Sequence, residues 1–282
     1  MRNGYSKKIM LVALLCSFIV AGSCCINIGC GSQAKFERTD KLCAGLAPGS
    51  TLAVQTSFGS INITGADINR CDVTAEISIQ APSEQEAEEI AEKVKIRLEQ
   101  EGGTLKVKIE QPHLGNNRCV GVSFKIIVPK ETSIDCSTSF GSIKLADIIG
   151  NIEGETSFAS IDCKNTQGPG KLKTSYGNIN CHNITSGELT AHSSFGGIDI
   201  TCSDSTSAEM VADVATSYGS IDFTAPPGFT GQVNVSTSFG SIRTEMPIMV
   251  KGNIGKDHLR GTIGEGSGNL RLKTSFGSIK IR

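Results

Sequence analysis

Four polar residues recur at one place in a repeating pattern: Asp162, Asn180, Asp199 and Asp222. Each stands one residue after the Ile that closes a hexapeptide of the form Thr-Ser-aromatic-Gly-x-Ile. If the repeats stack as extended coils about 4.8 Å apart, these side chains form an outward strip on consecutive coils. Carboxylates that close repel one another, so a bound cation would relieve the strip. The four residues are therefore a candidate cation- or glycan-binding strip, although single carboxylates on a solvated face are the ordinary case. Stacked β-coils also serve as polysaccharide lyases and hydrolases, which gather carboxylates or Lys/Arg on one long face. Here the connecting turns are short and leave little to build a cleft.

Other chemistry is scarcer. His113, His182, His192 and His258 are scattered, and none stands at ligand spacing from another His or a carboxylate. The Gly-rich stretch Gly261 to Gly268 lacks the Lys-Ser/Thr of a phosphate loop and reads as a turn. No paired C-x-x-C signature exists, so neither zinc nor any other metal or cofactor is expected. The chain has 27 basic and 28 acidic residues, which gives no electrostatic footprint for nucleic acid. No catalytic residues are expected.

The elements that would position the strip come from repetition. The hexapeptide starts at Thr56, Thr138, Thr156, Thr174, Ser193, Thr216, Thr237 and Thr274, at spacings of 82, 18, 18, 19, 23, 21 and 37 residues. A period near 20 means stacked supersecondary units. On that period 37 corresponds to about two coils and 82 to about four, and one coil would lie hidden between Thr244 and Leu270. Two residues before each Thr stand Val54, Cys136, Gly154, Leu172, Ala191, Val214, Val235 and Leu272. Two residues after it stand Phe58, Phe140, Phe158, Tyr176, Phe195, Tyr218, Phe239 and Phe276. In an extended chain these positions share a face. They therefore predict inward aromatic, Thr and Ile ladders around a glycine corner, and Phe195→Ala should cost about 3–5 kcal/mol. Inward Thr argues against an ice-binding hydroxyl array. The fold class is an all-β solenoid or roll of two-strand coils about 18–21 residues long, with one helix in the N-terminal section.

The first residues read as a leader. Arg2, Lys7 and Lys8 precede an apolar run, Ile9 to Ala21, too short to span a bilayer. Ala21-Gly22-Ser23-Cys24 resembles a lipobox, which makes Cys24 the expected lipid attachment site and residues 1–23 the signal peptide. With no acidic residue after Cys24, sorting in a Gram-negative host favours the outer membrane over the inner. A plain secreted protein is the alternative. Residues 24–35 read as a tether. Residues 36–130 read as an irregular β section with a helix at 83–93, where Ser83 and Glu86 form a capping box. Residues 131–282 carry the regular coils, and 36–282 reads as one continuous domain. Gly252 to Gly268 and the last strand, 276–282, are the expected end caps. Nine cysteines remain after Cys16 and Cys24. Cys163 and Cys181 share an inner column on adjacent coils and are expected as buried thiols rather than a bridge.

This layout resembles the putative-adhesin family of bacterial envelope proteins. The resemblance rests on the Gly-Ser-Ile corners, the Ser/Glu-rich helix and the Ile126-Ile127-Val128-Pro129 segment before the regular coils, and it covers about residues 36–282. It implies a β-solenoid-like domain and transfers no catalytic residues. The expectation is a non-catalytic envelope lipoprotein, an adhesin-like interaction or scaffold module that contacts the membrane through its lipid and an unknown protein or glycan. The alternatives are a stress-sensing or regulatory lipoprotein and an enzyme acting on envelope or extracellular polysaccharide.

Overall fold

The structure, a computed structural model, describes residues 34–250 and 257–282. The expected signal peptide, Cys24 and nearly all of the expected tether lie outside the described residues. Two sheets, of 11 and 12 strands, enclose a single core. Each hexapeptide joins a strand of one sheet to a strand of the other, as Gly170–Thr174 is joined to Ile179–Ile184. Within a sheet the coils pair in parallel and in register, so Thr138, Thr156, Thr174, Ser193 and Thr216 follow one another as neighbours. This is the stacked β-coil architecture that the repeat requires.

The core is built from columns. Val54, Cys136, Leu172, Ala191 and Val214 fill one sheet's inner face, and Ile61, Ile143, Ile161, Ile179, Ile198 and Ile221 fill the other's. A single coil buries little of this surface, and stacking completes it at about 1.5–3 kcal/mol for each large apolar side chain.

The Thr column is inward as expected and closes the corners. Thr156 Oγ1 donates to the Gly141 carbonyl at 2.9 Å, Thr174 to Ala159 at 2.9 Å, and Thr216 to Gly196 at 2.8 Å. Ser193 does the same to Gly177 at 3.0 Å. That carbonyl also explains the corner glycines. A Cβ added to Gly141, Gly177, Gly196 or Gly219 would lie 1.8–2.2 Å from the corner carbonyl oxygen of the neighbouring coil. Ala159 carries a methyl at this position, and nothing in the structure explains its accommodation.

Three expectations are corrected. First, the 82-residue gap holds no run of hidden coils: Thr51–Thr56 pairs directly with Ser133–Thr138. The intervening chain leaves the stack, lays Thr104–Glu110 and Cys119–Pro129 against its end as one further layer, and adds antiparallel strands outside it. The helix Glu84–Lys93 packs Ala87, Ile90 and Ala91 onto this end. Ser83 accepts from the Glu86 backbone N–H, and Arg38 donates to the Ala91 and Val94 carbonyls at its far end. The edge strand Ala34–Gly45 carries Lys35, Glu37, Arg38, Asp40 and Lys41, charges that discourage further strand pairing.

Second, among the described residues no coil is hidden after Thr244. The last repeat in the chain, Gly268–Phe276 with Ile279–Ile281, inserts between the Thr216 and Thr237 coils. The final strand is therefore inside the stack and does not cap it. Met249–Val250 and His258–Ile263, antiparallel to each other, cover the edge of Gly231–Phe239 instead.

Third, the aromatic column is outside. Regular alternation stops at the buried Thr in most coils, and the Ser-aromatic-Gly that follows forms the bend itself. Inward parity does not carry through a corner, and the ring is thrown outward.

Candidate functional site

Eight aromatic side chains stack along one corner of the rod in the order Phe58, Phe140, Phe158, Tyr176, Phe195, Tyr218, Phe276 and Phe239. Ring centroids lie 4.7–5.1 Å apart, and interplanar angles are 1–3° except 7° at the last step. The rings are 43–67% exposed. Seven steps near the strand spacing make a line roughly 34 Å long. Backbone bonds hold its register: the N–H groups of Phe140, Phe158, Tyr176, Phe195 and Tyr218 each donate to the Ser carbonyl of the preceding coil.

The ring planes are near-parallel and their centroids evenly spaced from one coil to the next. Each ring covers its neighbours' faces, so what meets solvent is a row of ring edges. A sugar that stacks on an aromatic ring needs a free face, and inside this ladder none is free. The corner hexapeptides contain no charged residue, while charged and polar side chains stand in the rows on either side. An apolar centre with a polar rim is the composition of an interaction surface. At the first rung a shallow cavity of about 360 Å³ lies between Phe58 and the N-terminal layer, lined by Thr56, Val107, Ile109, Val120 and Val122.

The acidic strip flanks the ladder on the sheet that follows the corners. The structure brings its members together in the expected order, with Asp162 beside Asn180, Asn180 beside Asp199, and Asp199 beside Asp222. Asn180 donates to Asp162 Oδ1 at 2.7 Å, and Arg282 donates to Asp222 Oδ1 at 2.6 Å. Asp199 has no partner among the described residues, which contain no cluster of three or more His, Cys, Asp or Glu suited to a metal ion. A second polar ladder sits in the turns, where Asp147, Asn165 and Asn183 take positive φ and Asn165 and Asn183 hydrogen-bond along the stack.

Cys163 and Cys181 are buried partners on adjacent coils and remain unbridged, as do Cys43, Cys71, Cys136 and Cys202. Burial raises the Cys71 and Cys202 thiols to about 12, and Cys136 is also pushed up by burial. Cys181 is held up first by its hydrogen bond with Cys163 and then by burial. These thiols are structural filling, without nucleophilic character at neutral pH. At the far end, a concavity of about 450 Å³ is lined by His258, Arg260, Arg271 and Lys273 with Asn234 and Ser236 between them. Among the described residues no helix is long and apolar enough to cross a membrane.

Sequence reasoning missed the ladder as a surface. The available signal was that each aromatic sits next to the corner glycine, inside the bend, where alternation has no meaning.

No protein-family model matches the chain, and no curated protein matches it. Among solved structures it is similar to a putative cell adhesion protein from Clostridium sporogenes, at 14% identity over 86% of this chain and 99% of that one, with a TM-score of 0.39. It is also similar to a putative adhesin from Parabacteroides merdae, at 10% identity over 87% and 96%, with a TM-score of 0.41. A putative adhesin from Bacteroides fragilis shares 16% identity over 89% and 98%, with a TM-score of 0.38. Likenesses this distant leave function to be argued from the chain's own surface.

Proposed function

We propose that the protein is a non-catalytic interaction or scaffold module of the bacterial cell envelope, held to a membrane by a lipid on Cys24. The carrying observation is the exposed aromatic ladder. Eight half-exposed rings with about 150–250 Å² apiece present roughly 800 Å² of aromatic surface, more than an idle monomer surface usually carries in one patch. The stack needs aromatic contact only between rings, so the outward edges are surplus to folding. In-register coils hold them in one column, and the tether would set them off from the membrane. Edge-on rings favour a protein surface over a sugar.

The polysaccharide-enzyme reading requires carboxylates acting together, whereas Asp162 is engaged by Asn180 and Asp222 by Arg282. It is the weaker account.

The test is binding of the exported Cys24→Ala chain, which has lost its own anchor, to isolated envelopes of the parent strain. Wild-type ladder should sediment with the envelopes, and a Phe158→Ser/Phe195→Ser chain that keeps its β-sheet circular dichroism should lose at least tenfold of that binding. Equal binding by the two chains would sink the proposal.

A further inference from the structure

We propose that the ladder's partner is a second copy of this chain, docked ladder to ladder and antiparallel across a two-fold axis that passes between Phe158 and Tyr176. This rests on reading the ladder as an interaction surface and names what covers it.

Pitch comes first. A line of ring edges repeating every 4.7–5.1 Å is matched along its length by another line of the same pitch. Identical side chains mated this way form the dry interfaces of paired β-stacks. The rings stay near-parallel and evenly spaced from rung to rung, so the two lines keep one pitch along their length. No charge lies in the hexapeptides, so closing the two ladders desolvates no ion along their centre.

Register follows from the flanking rows. On one side, in stacking order, stand Asn62, Lys144, Asp162, Asn180, Asp199, Asp222, Lys280 and Arg243. On the other stand Gln55, Ser137, Glu155, Lys173, His192, Ala215, Lys273 and Ser236. A two-fold interface opposes residue i to j and j to i. A parallel two-fold pairing sets Asp162 against Glu155 and Lys280 against Lys273. An antiparallel pairing over all eight rungs sets Lys144 against Lys280 and Asp162 against Asp222. Sliding the antiparallel ladders to share the first six rungs, Phe58 to Tyr218, removes every such clash among the shared rungs; beyond them Lys280 faces Lys125 of the N-terminal layer, each already ion-paired, to Glu245 and to Glu76. Lys144 then faces Asp199, Asp162 faces Asn180, and Glu155 faces Lys173 across the axis. Of the antiparallel registers sharing five or more rungs, it alone opposes no like charges on the shared rungs.

The area is adequate. Six half-exposed rings supply about 600 Å², and the flanking polar rows extend this toward the roughly 800 Å² per partner of a standard interface. Phe276 and Phe239 remain outside the overlap.

The experiment uses the full chain in its own host, in two differently tagged copies, with a photoreactive phenylalanine analogue at Tyr176 or, as a control, at Lys171 on the outer sheet face. Self-docking predicts an adduct of twice the chain's mass carrying both tags, from Tyr176 and not from Lys171. Lys144→Glu should reduce its yield at least tenfold by setting Glu against Asp199, and the swapped Lys144→Glu/Asp199→Lys chain should restore it. Lys144 and Asp199 are exposed, so neither change threatens the fold. A Tyr176 adduct with a different protein or with lipid overturns self-docking and leaves the ladder an interaction surface. No adduct at all overturns both. A dimer adduct indifferent to Lys144→Glu overturns the proposed register and with it this pairing.

Discussion

Thr174→Val isolates the bond that makes a corner. Thr174 is 3% exposed, its Oγ1 donates to the Ala159 carbonyl at 2.9 Å, and it accepts from the Gly177 N–H at 3.2 Å. Valine has a similar shape, so the substitution removes polar contacts and opens little cavity. Two hydrogen bonds at about 0.5–1.5 kcal/mol each give a loss near 2 kcal/mol, and leaving buried backbone groups unsatisfied moves it toward 3. Urea unfolding followed by circular dichroism should show that loss as a lower midpoint at unchanged slope. Ser175→Ala, one residue on, removes a hydroxyl with no side-chain hydrogen bond among the described residues and should stay within about 0.5 kcal/mol. If Thr174→Val also stays within that limit, the hydroxyl does not hold the corner, and the explanation for the outward aromatic fails.

Other substitutions separate the parts of the coil. Gly177→Ala should cost about 1–3 kcal/mol, because its Cβ would meet the Ala159 carbonyl at 1.8 Å, whereas Gly187→Ala, with open space around it, should be neutral or stabilising by thermal melting. Phe195→Ala should cost about 2 kcal/mol in urea, from roughly 100 Å² of ring covered by Tyr176 and Tyr218, short of the 3–5 expected of an interior ring. The buried thiols make the fold sensitive to alkali. Cys71 and Cys202 stay protonated in the folded chain up to about 12, while the unfolded chain ionises from about 9. Stability should therefore be flat below pH 9 and fall above it by about 1.4 kcal/mol per pH unit per thiol. Urea midpoints at pH 8 and pH 10.5 should show this, and Cys71→Ala should flatten the slope.

The repeat was legible because stacking puts like residues on like. The Ile, Thr and Cys columns are inward in the structure because each stands within a strand, where period two holds. The same rule, carried two residues past Thr into the bend, placed Phe195 and its fellows on the wrong side. Spacing also misled where chain order and spatial order part. The Thr274 coil stacks on Thr216, and Thr56 on Thr138, because parallel coils can admit or bypass a segment without any mark in the repeat itself. The acidic strip's order was legible from register alone. Its partners were not, because Arg282 reaches Asp222 only once the last coil is inserted between two others.

The central claim, that the aromatic ladder is the rod's outer surface, is tested most directly by melting Tyr176→Lys beside Leu172→Lys. The two sites lie on one coil, four residues apart; Leu172 is 2% exposed and Tyr176 is 55% exposed. A charge at Leu172 must be buried without a partner, while at Tyr176 it reaches water. The account predicts that Tyr176→Lys keeps the β-sheet spectrum and melts within a few degrees of wild type, and that Leu172→Lys does not fold. Loss of folding in both chains would put the aromatic column inside and contradict the account.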